Sequence, residues 1–177
     1  MERIGFFGGC FNPPTNMHIS IANNLIREGK LDKVIFVPMN DFYEKEGLIE
    51  ASHRYNMLKL AVEKYKNLKI DDIEIKENRK LFAADAFEII HKSDFVKYVD
   101  KENVFLIMGS DNYSKMPNWR DYDKIKDKYN YIVIERDEKQ ISSTKIREMI
   151  KDNDKKVIEY LPKEVYRYII KNELYKL

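Results

Sequence analysis

Two nitrogen bases in this chain, His18 and Arg147, stand where their surroundings suggest chemistry. His18 closes the run Gly8-Gly9-Cys10-Phe11-Asn12-Pro13-Pro14-Thr15-Asn16-Met17-His18. Adjacent glycines and prolines make that run a turn, and Ile21, Ala22, Leu25 and Ile26 beyond it recur at helical spacing. His18 therefore falls in the first turn of a helix. A helix start presents unpaired N–H groups and the positive end of its dipole, a seat for phosphate. Glycine lets the backbone approach such a ligand closely. In line with Ala22 and Leu25 the histidine would be an ordinary packed side chain, but in the first turn after Gly-Gly its ring points over the helix end. The run is not the dinucleotide fingerprint G-x-G-x-x-G, whose third glycine is missing.

Arg147 belongs to a second helix start, Ile141-Ser142-Ser143-Thr144-Lys145-Ile146-Arg147-Glu148, continuing through Met149 and Ile150. A serine or threonine there is a routine N-cap. Two cations in the first turn are not routine, because the dipole disfavours them, and they make sense if an anion lies between them. Lys45 sits in the polar loop 39–48, where taken alone it is a solvated surface charge. The motifs hold no paired carboxylates and no Ser-His-Asp arrangement. Anion handling by cations and backbone N–H groups is the chemistry implied.

The elements that must position these residues follow from the apolar pattern. Arg3-Ile4-Gly5-Phe6-Phe7 and Lys33-Val34-Ile35-Phe36-Val37 read as buried strands around the first helix, a right-handed βαβ unit that starts a parallel sheet. Gly29 stands where a helix C-cap glycine belongs. A third strand is expected over 68–75 and a helix over 83–99. Val104-Phe105-Leu106-Ile107-Met108 is continuous and apolar like a central parallel strand, and a fifth strand is expected over 129–135. The expected fold is α/β, an open parallel Rossmann-like sheet of about five strands with helices on both faces and a helical C-terminal segment. Neither a repeat nor a linker divides it, so residues 1–177 are expected to form one domain. In such sheets ligands bind beyond the carboxyl ends of the strands, which is where the Gly-Gly turn and the loop after Pro38 would lie.

Gly9-Cys10-Phe11-Asn12-Pro13-Pro14-Thr15-Asn16-Met17-His18 resembles the first signature of the nucleotidyltransferases related to class I aminoacyl-tRNA synthetases. The Thr-Asn-Met-His form looks most like eukaryotic-type nicotinamide mononucleotide adenylyltransferases. Tyr43-Glu44-Lys45-Glu46-Gly47-Leu48-Ile49-Glu50-Ala51-Ser52-His53-Arg54 resembles a second segment of that family, and Ile141-Ser142-Ser143-Thr144-Lys145-Ile146-Arg147 its phosphate-binding signature. The resemblance covers essentially the whole chain, including residues 159–175. It implies transfer of AMP from ATP to nicotinamide or nicotinate mononucleotide, giving NAD or deamido-NAD and pyrophosphate. His18, Lys45 and Arg147 would be catalytic. Gly9, Cys10, Phe11, His18, Gly109, Asp111, Ser142, Ser143, Thr144, Lys145 and Arg147 would bind ATP, with Asp111 accepting from the ribose diol. Lys45, Trp119 and Arg136 would bind the mononucleotide, the indole stacking on the pyridine ring as a cation–π contact. Magnesium would be carried with ATP, with no protein metal site. Two departures stand out. Trp119 follows Pro117-Asn118 one residue early, and only Asp137-Glu138-Lys139-Gln140 precedes Ile141, where relatives insert a longer segment.

Composition bounds the alternatives. A net charge of +2 gives no global field for nucleic acid, so positive charge at a site must be local. One cysteine excludes an intrachain disulfide and a thiolate metal cluster, and no apolar run has transmembrane length. A cytoplasmic enzyme without nucleic-acid or membrane partners is expected, with a homo-oligomer left open. The rival readings are a sister enzyme (pantetheine-phosphate adenylyltransferase or cytidylyltransferase) and a nucleotide-binding regulator without turnover.

Overall fold

The computed structural model describes residues 1–135 and 140–176. Strands β1 (Ile4–Gly9), β2 (Lys33–Pro38), β3 (Leu68–Ile70), β4 (Val104–Gly109) and β5 (Asn130–Ile134) form one sheet in the order β3-β2-β1-β4-β5. Every pairing is parallel, and β1 is bonded on both sides, Ile4 standing opposite Lys33 of β2 and Val104 of β4. The helices among the described residues are α1 (Asn16–Arg27), α2 (Ala51–Val62), α3 (Ala83–Ile90), α4 (Ser110–Lys115), α5 (Tyr122–Ile125), α6 (Ser143–Lys151) and α7 (Lys163–Lys171).

Period-2 alternation divides the strands between two cores. Val34 and Phe36 face Ala22 and Leu25 of α1, Met57 and Leu58 of α2, Ile146 of α6 and Val165 of α7. Ile4, Phe6, Ile35, Val37, Val104 and Leu106 face the other way, toward Ile90 and Val96. Apolar contact on both faces explains why β1, β2 and β4 carry unbroken apolar runs. The centre of the sheet is tight: a Cβ on Gly5 would lie 2.4 Å from Leu31 Cδ1 and 2.8 Å from Ile107 Cδ1. A methyl group there would have to displace both side chains.

Two elements are shorter than their patterns suggest. The strand expected over 68–75 ends at Ile70, because Asp71 Oδ1 accepts from the Ile73 amide at 3.0 Å and turns the chain. The helix expected over 83–99 stops at Ile90. Ser93, hydrogen-bonded to Asp71, instead caps a separate 3-10 turn, Asp94–Val96. The other boundaries fall within a few residues of expectation, and Gly29 has the left-handed φ of +67° of a residue following a helix cap.

β1 leads into α1 and returns as β2 on one side, while β4 lies on its other side. The carboxyl ends of β1 and β4 therefore border the crevice where the winding reverses, and the site residues gather there.

Candidate active site

A cleft of about 540 Å³ opens at that crevice, lined by residues from both singled-out helix starts, from the ends of β1 and β4, and from the loop after β2. His18 and Arg147, far apart in sequence, both face it. Direct bonds hold their helices together. The Arg147 guanidinium donates from Nη1 to the Asn12 carbonyl at 2.9 Å, and Ser143 Oγ donates to the Pro13 carbonyl at 3.0 Å. Arg147 Nη2 lies 3.3 Å from Thr144 Oγ1.

Around His18 the local structure dictates the proton's position. Thr15 caps α1, accepting from the His18 amide, and the Thr15 amide donates back to His18 Nδ1 at 3.0 Å. With Nδ1 accepting from a backbone N–H, the neutral ring carries its proton on Nε2. The ring packs edge-on against Phe11, centroids 5.1 Å apart, and burial pushes its pKa down to about 4. Near neutral pH His18 is thus an uncharged donor. Phe11 adopts a left-handed φ of 48°, a conformation that costs about 1 kcal/mol for a side-chain-bearing residue. Burying its ring against Phe36 and Phe7 offsets that strain.

Lys45 reaches the same cleft from an exposed position, its Nζ donating to Cys10 Sγ at 3.4 Å. Cys10 thus serves as an acceptor for the lysine, and its sulfur also lies 3.5 Å from Met39 Sδ. Gly109 and Asp111 line the cleft at the end of β4. A Cβ on Gly109 would sit 2.8 Å from Asp111 Oδ1, so a side chain there would push the carboxylate away. Ser142 caps α6 by accepting from the Lys145 amide. Gly9 ends β1, its carbonyl accepting from Met39 N at 3.0 Å.

Not every expected residue converges. Lys145 turns along α6 to pair with Glu148 at 3.0 Å and does not line the cleft. Positions two apart on a helix face different ways, so Lys145 and Arg147 could not both meet one anion, a constraint already present in the spacing. Trp119 lies in a second cleft, about 520 Å³ and mostly apolar, with Gly8, Met39, Tyr43, Glu74, Phe82 and Arg120 among its walls. Gly8 faces this cleft while Phe7 before it and Cys10 beyond Gly9 face the first, and Asn112 lines both, so the two clefts meet beside the end of β1. Arg136 lies outside the described residues.

Four residues that the sequence pattern did not single out complete the site. Arg54 is fully buried and donates to the carbonyls of Ile49, Cys10 and Asn40 and to Asp41 Oδ1. Asn12 links the Gly-Gly turn to Gly47. Tyr175 reaches Asn12 from beyond α7. Glu74 is 3% exposed, its Oε1 lacks a hydrogen-bond partner among the described residues, and burial raises its pKa to about 7. An arginine on the apolar face of α2 was the available signal for Arg54. The others depend on contacts between distant segments.

A family model described as cytidylyltransferase-like matches residues 6–149. The chain belongs to the cytidylyltransferase-like family. The match spans β1 through α6 and so contains both helix starts. Curated relatives of this cytidylyltransferase-like chain include the Bacillus subtilis nicotinate-nucleotide adenylyltransferase, 29% identical over 99% of this chain and all of that protein. A Clostridium botulinum protein described as a probable nicotinate-nucleotide adenylyltransferase is 31% identical with the same coverage. Among solved structures, the Plasmodium falciparum nicotinic acid mononucleotide adenylyltransferase complexed with NaAD superposes with a TM-score of 0.77 at 17% identity, covering 99% of this chain and 98% of that one. At that identity the likeness establishes a shared Rossmann-like fold.

Proposed function

We propose that residues 1–177 form one nucleotidyltransferase domain that transfers AMP from ATP to the 5′-phosphate of a pyridine mononucleotide, releasing pyrophosphate. The names of the curated relatives favour nicotinate mononucleotide as the acceptor. The observation that carries this reading is the pair of helix starts stitched through Asn12–Arg147 and Pro13–Ser143 around one cleft. Two N-termini, a guanidinium and a neutral imidazole donor meet there, a complement for a triphosphate rather than for a neutral substrate.

The acceptor phosphate is already ionised near neutral pH, its second pKa being about 6, so it needs no general base. One of its oxygens bonds to the α-phosphorus of ATP as the bond to the bridging oxygen of the leaving pyrophosphate breaks. The catalytic problem is alignment and charge. His18 Nε2–H donates to the α-phosphate and to the oxygen that leaves. Arg147, with Ser143 and Thr144, holds the outer phosphates, and the backbone of Gly9, Cys10 and Phe11 lines them. Asp111 accepts from the ribose hydroxyls. Lys45 holds the acceptor phosphate, and the pyridine ring enters the apolar second cleft beside Trp119. A divalent cation would be carried on the ATP oxygens. Magnesium in that role supplies charge neutralisation on the phosphates.

No described helix is long and apolar enough to cross a membrane. We take the enzyme to be cytoplasmic, acting on small nucleotides and not on nucleic acid. The test is pyrophosphate release by the purified protein from ATP or CTP with nicotinate mononucleotide, nicotinamide mononucleotide or phosphopantetheine. ATP with a pyridine mononucleotide should react fastest. Turnover only with CTP, or only with phosphopantetheine, would replace this reading with a sister activity. Tight dinucleotide binding without turnover would mark a regulator.

A further inference from the structure

Tyr175 lies past the end of α7, yet its hydroxyl donates to Asn12 Oδ1 in the Gly-Gly turn at 2.8 Å. Its backbone has a left-handed φ of 65°, an unfavourable setting for a ring-bearing residue. Burial raises the pKa of the hydroxyl, so it remains a donor across the working pH range. Asn12 is 4% exposed and uses both ends of its carboxamide. Oδ1 also accepts from the Ile49 amide at 3.4 Å, while Nδ2 donates to the Gly47 carbonyl at 2.7 Å. An amide N–H at one end and a carbonyl at the other admit only this orientation of the Asn12 side chain. The same residue's backbone carbonyl holds the Arg147 guanidinium, and Gly47 packs against it: a Cβ there would be 3.3 Å from Arg147 Nε.

We propose that Tyr175 is a positioning residue for the acceptor phosphate, acting through Asn12 on the 43–49 loop that carries Lys45. The inference rests on the reading of Lys45 as the group that holds the mononucleotide phosphate. Gly47 and Ile49, the two loop residues bonded to Asn12, lie two and four positions beyond Lys45, and the Leu48 amide donates back to the Lys45 carbonyl at 3.2 Å. Correct orientation of Asn12 therefore sets how far the lysine extends over Cys10. Without the tyrosine hydroxyl, Oδ1 keeps only its longer bond to the Ile49 amide, and the side chain is freer to rotate away from Gly47. ATP binding depends less on this link, because Arg147 is held by the Asn12 backbone carbonyl and by Thr144.

Tyr175→Phe removes one oxygen and retains the ring packing, which makes it the test. The expected result is a mononucleotide KM raised about fivefold, the scale of one lost hydrogen bond, with a smaller change in the KM for ATP. In a Lys45→Ala background the same substitution should change kcat/KM little, since the group it positions is gone. Unchanged kinetics, equal rises in both KM values, or effects that multiply with Lys45→Ala would each overturn the proposal. Hydrogen exchange supplies a readout independent of activity: the amides of residues 47–49 should exchange faster in Tyr175→Phe, with those of β1 and β2 unaltered. Unchanged exchange in the 47–49 segment would refute the positioning link even if the wild type proved to be a different transferase. Faster exchange there without turnover of any pyridine mononucleotide would instead sink the assigned reaction and leave the link standing.

Discussion

His18 enters the cleft as a neutral ring with its proton on Nε2, because the Thr15 amide occupies Nδ1 and burial disfavours the imidazolium. Catalysis by such a group requires no ionisation of its own between pH 5.5 and 8. The acid limb of a kcat/KM profile should therefore follow the acceptor phosphate, about pH 6, and not a histidine near 6.5. His18→Ala should lower kcat on the order of 10²–10³-fold, the usual loss on removing one transition-state donor, with a small effect on the KM for ATP. Steady-state kinetics check both, and a variant with wild-type kcat would remove the histidine from the mechanism. His18→Gln separates position from ring chemistry: its amide nitrogen reaches the place of Nε2 and should recover part of the loss if donation is the role.

The two helix starts were legible in the sequence because capping and turn chemistry are local. Gly-Gly, the prolines, Thr15 and Ser142 announce their elements within a few residues. The joint between the elements was not legible. Arg54 reads as one more member of an apolar stripe on α2, and only coordinates reveal that it spans the carbonyls of Cys10, Asn40 and Ile49. Asn12 and Tyr175, 163 positions apart, meet for a reason no local pattern carries. The early stop of β3 was in principle local, since Asp71 turns the chain by accepting from the Ile73 amide, but its second tie, to Ser93, comes from another segment. Arg54 is where the joint is most exposed to test. Arg54→Met preserves length and apolar stem but leaves three carbonyls without their donor, each costing about 1–3 kcal/mol when buried. A loss of roughly 3 kcal/mol or more in denaturant unfolding is expected, the Asp41 pair contributing less because that carboxylate is half exposed. A loss below 1 kcal/mol would mean that water replaces the guanidinium without penalty.

At the scale of the whole molecule, near-neutral net charge leaves pH stability to a few buried groups, and Glu74 and His18 oppose one another. Glu74 has a folded pKa of about 7 against an ordinary 4.5. Between those values the folded chain holds a proton that the unfolded chain has released, so stability falls as pH rises through that window and levels off above it. Burial dominates the shift, with the Tyr43 hydroxyl, Arg54 and the Asn40 backbone pulling the other way. His18, with a folded pKa of about 4 against 6.5, does the reverse: stability rises with pH over that range, and the half-buried His91, also lowered, adds in the same sense. The opposing slopes overlap between about pH 4.5 and 6.5, where Glu74 offsets much of the histidine slope. Glu74→Gln keeps the shape and removes the titration, which exposes the histidine slope. At about 1.4 kcal/mol per pKa unit, the variant should gain about 3 kcal/mol relative to wild type on going from pH 5 to pH 8. Denaturant titrations of both proteins at the two pH values measure that difference, in which the unchanged groups cancel. A difference independent of pH would show that Glu74 ionises alike in the folded and unfolded chains, and that the apolar second cleft admits its charge without cost.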